Sequence, residues 1–365
     1  MGEFCSAWPK AEQRAYRWKG FLAVSAAEGK RPVQADVARL AGVSQAMVSY
    51  VVNGTSTVVV PEETRRRILD AVDELGYVPD RAARSLKTRK AYMIASVIPD
   101  ITNPFYPAFE RGIQRVAETH GYDLVIYNTD GRSTNERKCL RSVLQGRVDG
   151  VVAVLFHATV RDLSALLEQG IAVVRLEATR KRADTLNLPL DNLYVDNASA
   201  ACSAVDYLFK RGHERIGMIT GPNGPGRARL LGYRRSLTKH GVSPDGVVVQ
   251  DGGFDEESGY RTMRELLELP TPPTAIFAAN DTIAVGAMLA IKEKGLLIPQ
   301  DVAVVGFDDI PAARLVTPSL TTVTQFQEKL GRRAAEMLFE RLDGSAPESG
   351  RCEEMPYRLL VREST

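Results

Sequence analysis

Acidic, amide and guanidinium side chains recur at the ends of apolar runs in the second part of this 365-residue chain. Asp100, Asn103 and Phe105 follow the run Ile94–Ile98, and Arg175 and Glu177 flank the end of Ala172–Leu176. Arg229 comes shortly after the glycine-rich stretch Gly221–Gly226. Asn280-Asp281 and Asp308-Asp309 close two further runs. Carboxylates, amides and arginine hydrogen-bond vicinal hydroxyls, and an aromatic face packs on a sugar ring. Each residue also has a local reading. Asp308 could cap a turn, Asn280 could tie a loop, and Arg229 could pair with a carboxylate. As a set falling at strand ends, they point to a binding pocket.

Other reactive chemistry is hard to find. The stretch Gly221–Gly226 lacks the Gly-Lys-Ser/Thr of a phosphate loop, and no serine sits in a GxSxG elbow. His120, His157, His213 and His240 are scattered without i,i+4 pairing. Cys5, Cys139, Cys202 and Cys352 lie far apart and show no CxxC pattern, so they read as reduced thiols. No metal, no cofactor and no catalytic residue is expected.

The elements that position the pocket residues follow from periodicity. Ile94–Ile98, Asp123–Tyr127, Gly150–Leu155 and Ala172–Leu176 read as strands, separated by helices at Phe105–His120, Asn135–Gln145 and Leu163–Gln169. A second series begins near Val195. Its helices are Ala198–Arg211, Arg227–His240, Ser258–Leu267 and Ile283–Lys294. Its strands are Arg215–Thr220, Gly246–Gln250, Thr274–Ala278 and Val302–Phe307. Strands alternating with helices imply parallel sheets, and two series imply two doubly wound lobes. Ligands in such folds lie beyond the carboxyl ends of the strands, which between two lobes means the cleft.

The front of the chain is different. Residues 1–90 hold 15 Lys and Arg against 10 Asp and Glu, while 91–365 hold 32 against 35. The net +5 on the front is a modest pointer to nucleic acid. Three short helices are expected: Gln34–Ala41, stopped by Gly42; Gln45–Val52, capped by Ser44; and a third opened by Pro61. The third carries an apolar stripe of Ile68, Leu69, Val72 and Leu75. Two short helices joined by Ala-Gly-Val-Ser make a helix-turn-helix, whose second helix meets base edges with its first residues. Those are Ser44, Gln45, Ala46 and Ser49, then Tyr50, with Asn53 at the helix end. Val43, Val48 and Val51 would face the core. The helices alone would equally suit a plain three-helix bundle.

Asp36–Gly54 (DVARLAGVSQAMVSYVVNG) followed by Val60–Leu86 (VPEETRRRILDAVDELGYVPDRAARSL) resembles the lactose-repressor family of bacterial transcription regulators. The resemblance runs over about residues 32–365. It implies an N-terminal all-α helix-turn-helix DNA-binding domain (31–78) and a hinge helix or linker (79–90). It implies a two-lobed α/β periplasmic-binding-protein-like domain (91–365) that binds effector and dimerises. At the hinge, paired short helices would enter the minor groove of a palindromic operator, with Leu86 wedged between base pairs, Ala83 on the same face and Arg81 beside them. In the cleft, the positions of Phe105, Glu177, Arg229, Asn280 and Asp308 would contact a small-molecule effector, expected to be a carbohydrate. One departure stands out. The family often has arginine where this chain has Tyr50, and tyrosine cannot read guanine bidentately.

Residues 1–30 are expected to be a loosely ordered extension. The apolar run Phe21–Ala27 is short for a signal peptide, and Met1-Gly2 with Ser6 is a permissive match to a myristoylation pattern. No run of about 18 apolar residues suggests a membrane span. The expectation is a cytoplasmic, effector-controlled repressor. A sugar-binding transport or receptor protein and an α/β enzyme are the alternatives. After the final strand expected at Tyr357–Val361 no leucine-heptad run follows, so a homodimer formed by the lobes is expected rather than a tetramer.

Overall fold

The computed structural model describes residues 31–52, 59–78, 90–177, 188–221, 224–243, 249–251 and 253–365. They divide into two compact units, which meet in the chain between residues 81 and 82.

The first unit contains α1 (Gln34–Ala41), α2 (Gln45–Val52) and α3 (Glu62–Leu75). The Val33 amide donates to the Asp36 carboxylate at 3.0 Å, closing the start of α1. Gly42 ends α1 at φ 63°, a left-handed conformation that costs glycine little. Ser44 accepts from the Met47 amide at 3.3 Å and so caps α2 as expected. Val37, Ala38, Ala41, Val48, Val51, Ile68 and Ala71 form the core. The α3 stripe is shifted from expectation. Leu69 is exposed, and Ala71 takes the buried place because it lies three residues after Ile68 on the inward face.

The second unit holds two six-stranded sheets. The first runs in the order β11-β5-β4-β3-β1-β2, with β1 (Met93–Ile98), β2 (Asp123–Asn128), β3 (Gly150–Ala153), β4 (Ala172–Glu177), β5 (Leu190–Val195) and β11 (Cys352–Met355). The second runs β12-β10-β9-β8-β6-β7. Its strands are β6 (Ile216–Thr220), β7 (Val249–Asp251), β8 (Ala275–Ala278), β9 (Ala303–Asp308), β10 (Thr321–Thr324) and β12 (Arg358–Leu360). All pairings are parallel except β10 with β12. The inner strands β1, β3, β5, β6, β8, β9 and β10 are buried on both faces, as parallel sheets covered by helices require, while the edge strands β2, β11 and β12 are partly exposed.

The helices are α4 (Phe105–Thr119), α5 (Ser133–Ser142), α6 (Val160–Glu168), α7 (Asn197–Lys210), α8 (Gly224–Lys239), α9 (Glu256–Leu267) and α10 (Asp281–Glu293). Then come the short α11 (Ala312–Leu315) and the long α12 (Gln327–Leu342). A π-helical turn, Val143–Arg147, extends α5.

The lobes are not two consecutive series. The chain crosses between the sheets three times: at Asp196, at Gln325-Phe326, and at Pro356-Tyr357. After β10 it returns to the first lobe, where α12 packs on α4 and β11 joins β5. The two helices approach closely because glycine faces backbone on each side. A Cβ on Gly112 would stand 2.2 Å from the Glu328 carbonyl oxygen, and one on Gly331 would stand 1.9 Å from that of Phe109. Crossings of this kind put strand ends of both lobes around one cleft.

Candidate functional site

On the first unit, Ser44, Gln45 and Ala46 are exposed at the start of α2, and Ser49 and Tyr50 are half-buried along it. Gln34 donates to the Gln45 carbonyl at 3.0 Å, fixing the approach of α1 to this edge. Val48 and Val51 are buried beneath it and Val43 packs at its side. The expected readers therefore share one outward edge, held from behind by a valine core. Asn53, Arg81, Ala83, Leu86 and the extension 1–30 lie outside the described residues.

In the second unit a cavity of about 580 Å³ opens between the two sheets, within the usual size range of small-molecule sites. Asp100, Asn103, Phe105, Glu177, Arg229 and Asp308 all line it. The strand-end logic explains why. Asp100 and Asn103 follow β1, Glu177 ends β4, and Asp308 ends β9. Arg229 sits in the second turn of α8, which begins inside the glycine-rich stretch rather than after it.

Arg229 is the anchor of the deep wall. It is only 4% exposed, and its guanidinium stacks on the Phe307 ring at 3.7 Å. Its Nε donates to Asn197 at 2.8 Å, Nη1 to the Ala279 carbonyl, and Nη2 to Asp308 Oδ1 at 3.3 Å. Gln325 donates to the same Oδ1 at 2.6 Å, and Gln327 to the Asp308 carbonyl. No hydrogen bond to Asp308 Oδ2 exists among the described residues, so that oxygen can accept from a ligand hydroxyl. Burial pushes the Asp308 carboxyl up to about 6, even with Arg229 beside it. Burial likewise lowers Arg229 from the ordinary guanidinium value, against the pull of Asp308 and Asp281.

Asp308 and Asp309 both have positive φ, 111° and 57°, a costly pair for residues with side chains. Their surroundings hold them there. Asp309 is ion-paired to Arg314 at 2.9 Å and to Arg362. Behind the wall, Asp281 is fully buried, accepts from Thr322 Oγ1 at 2.5 Å and from the Ile310 amide at 2.9 Å. Its carboxyl is held well above the ordinary range, first by burial and then by Asp308.

Two of the residues expected in the pocket support it instead of lining it. Arg175 is buried, donates from Nε and Nη2 to Asn192 at 3.0 and 2.7 Å, and pairs with Glu177 at 3.2 Å. Its long side chain turns back along the sheet because the Asn192 and Glu177 acceptors lie there. Asn280 caps α10, accepting from the Ile283 amide at 2.9 Å and donating to the Phe254 carbonyl at 3.2 Å. A cap residue spends its side chain on the helix end, yet Asn280 still places Phe254, which does line the cleft.

Periodicity missed several lining residues: Tyr106, Phe156, Asn197, Pro225, Phe254 and Gln325. Asn197 and Gln325 also lie just past strand ends, β5 and β10, so the same rule finds them once those strands are recognised. Tyr106 adjoins Phe105, and its rings meet edge to face at 5.1 Å. Burial, then Asp308, pushes its phenol far up, so it stays a neutral hydroxyl. The cleft thus combines apolar ring faces with a few fixed polar groups.

Two stretches of the chain match known families. Residues 35–80 match the family described as bacterial regulatory proteins, lacI family, and 205–365 match a periplasmic binding protein-like domain. The chain is 33% identical over 332 residues to the HTH-type transcriptional repressor CytR of Escherichia coli (strain K12), covering 90% of this chain and 95% of that one. It is 37% identical over 313 residues to the ribose operon repressor of the same organism, covering 84% and 92%. Among solved structures, the lac repressor dimer bound to operator and the anti-inducer ONPF superposes with a TM-score of 0.79 at 26% identity, covering 92% of this chain and 99% of that one.

Proposed function

The chain belongs to the lacI family of bacterial regulatory proteins, and on that premise we propose how its two units share the work of an effector-controlled repressor. It is a sequence-specific DNA-binding transcription regulator. Ser44, Gln45, Ala46, Ser49 and Tyr50 read base edges, with Asn53 at the helix end. Arg81, Ala83 and Leu86 serve the hinge, where Leu86 is the wedge. A homodimer presents two such sets to a palindromic operator in the cytoplasm.

The cleft takes a sugar or sugar derivative. The observation that carries this reading is the Arg229–Asp308 pair, buried at the end of a cavity walled by Phe105, Tyr106, Phe156 and Phe254. Ring faces accept the apolar side of a sugar, and the charged pair meets its hydroxyls. The ligand acts by population shift. It changes operator affinity only to the extent that it binds one arrangement of the lobes better than another. The cleft binds without turnover.

Selection of random duplexes by the purified protein tests the DNA half of this reading. The expected product is a two-fold symmetric site bound with steep salt dependence. Recovery of unrelated sequences with no symmetry would refute it.

A further inference from the structure

Glu136 on α5 is only 1% exposed, and a charge that deep persists only where hydrogen bonds meet it. Three consecutive backbone amides of a single loop meet it. The Phe156 amide donates to Oε1 at 2.8 Å, and those of His157 and Ala158 donate to Oε2 at 3.0 and 2.9 Å. Successive amides converging on one anion make a concave nest that fixes the backbone carrying them. The loop continues β3, and its Leu155 and Phe156 line the cleft. The His157 ring also reaches the Gly131 carbonyl at 3.0 Å, tying the loop to Asp130–Gly131, which lines the cleft as well. Across the cleft, the Phe156 ring faces Gly224 of the second lobe. A Cβ placed on Gly224 would lie 3.7 Å from that ring, so the two lobes stand near contact at this point.

We propose that Glu136 is a positioning residue for effector binding: it holds the Phe156–Ala158 loop so that the Phe156 ring closes the first lobe's wall of the cleft against Gly224. Glu136 touches no ligand and acts only through the loop. The proposal rests on the cleft being the effector site. A purely structural tie between α5 and β3 would stabilise the lobe without influencing ligand affinity, and the two roles separate experimentally.

The test uses the full chain as wild type, Glu136→Gln and Phe156→Ala. Glutamine keeps the volume, but its amide nitrogen cannot accept, so at least one loop amide loses its acceptor. Hydrogen exchange over residues 154–160 reads the loop directly. Calorimetry with D-ribose, D-xylose, D-glucose and adenosine reads the cleft. In Glu136→Gln the amides of 156–158 should exchange about tenfold faster or more, while α4 and α12 keep their protection. Any probe that binds wild type should bind this variant about tenfold more weakly. Phe156→Ala should weaken the same probe while leaving the 157 and 158 amides protected. Unchanged exchange in Glu136→Gln overturns the proposal, as does faster exchange with probe affinity kept within about twofold. If no probe binds wild type, the carbohydrate reading of the cleft is what fails, and the positioning role falls with it.

Discussion

Removing the Arg229 guanidinium should expose how much of the cleft's deep wall is electrostatic. Arg229→Ala deletes the bonds to Asn197, the Ala279 carbonyl and Asp308, together with the stacking on Phe307. What remains is more damaging than what is lost. Asp308 is 4% exposed, and its carboxyl already lies at about 6 with the arginine present. Leaving a buried charge without its partner costs about 3–5 kcal/mol. Asp308 can avoid part of that cost by taking a proton, so the loss must depend on pH. An acid whose folded pKa is raised loses stability as pH climbs from its unfolded value through its folded one. If the missing arginine lifts Asp308 by about two further units, the variant loses about 2 kcal/mol more at pH 8 than at pH 5. At about 2–4 °C per kcal/mol for a domain of this size, the melting-point deficit should grow by about 4–8 °C between those pH values. Thermal melts of wild type, Arg229→Ala and Arg229→Ala/Asp308→Asn measure it. The double variant should recover much of the loss at pH 8, because asparagine leaves no charge to compensate. A deficit equal at both pH values, or a double variant no better than the single one, would refute the reasoning.

Glu110 offers a second titration. It is 8% exposed, accepts from Ser96 at 2.6 Å, and has a buried Oε2 with no hydrogen-bond partner among the described residues. Burial pushes its carboxyl up to about 7, so it destabilises the fold progressively from about pH 4.5 to 7. Glu110→Gln should remove up to about 3 kcal/mol of that pH dependence, read by urea melts at pH 5 and pH 8. A second expectation concerns Gly226, where a Cβ would lie 2.1 Å from the Gly221 carbonyl. Gly226→Ala should push Pro225 off the cleft wall and weaken ligand binding about tenfold or more in calorimetry, with operator binding kept. Third, if Leu86 is the wedge proposed above, Leu86→Ala should weaken operator binding while sparing weak non-specific binding. Filter binding to operator and to random duplex separates the two.

The sequence made some parts of this protein legible and hid others for physical reasons. β1, β4 and β9 are apolar runs with a polar residue at or just past their ends, so both the strands and the pocket residues there could be read. β10 is Thr-Thr-Val-Thr and fully buried, which periodicity does not announce. The Thr322 hydroxyl donates to Asp281, the Thr321 hydroxyl pairs with that of Thr365, and the Thr321 amide donates to Ser364 Oγ. β11, Cys-Glu-Glu-Met, resembles a loop because it is a half-exposed edge strand. Its glutamates are taken up by Arg333 and Tyr194 from neighbouring elements. With those two strands unseen, the return of α12 to the first lobe was invisible, and so was Gln325 at the crossing. Arg175 and Asn280 were placed at the right strand ends but in the wrong role. Position along a strand does not reveal that a nearer partner, the Asn192 acceptor for Arg175 or a donating helix amide for Asn280, will claim the side chain.

The central claim is that a ligand in the cleft resets the affinity of the front unit for its operator. Fluorescence anisotropy measures this directly, using a labelled operator duplex recovered by selection, titrated with full-length protein with and without a saturating ligand that calorimetry shows to bind. The account predicts a change in operator affinity of about tenfold or more with wild type, matching a coupling free energy above about 1.4 kcal/mol, and none with Arg229→Ala. A ligand that binds the cleft yet leaves the operator titration unchanged would contradict it.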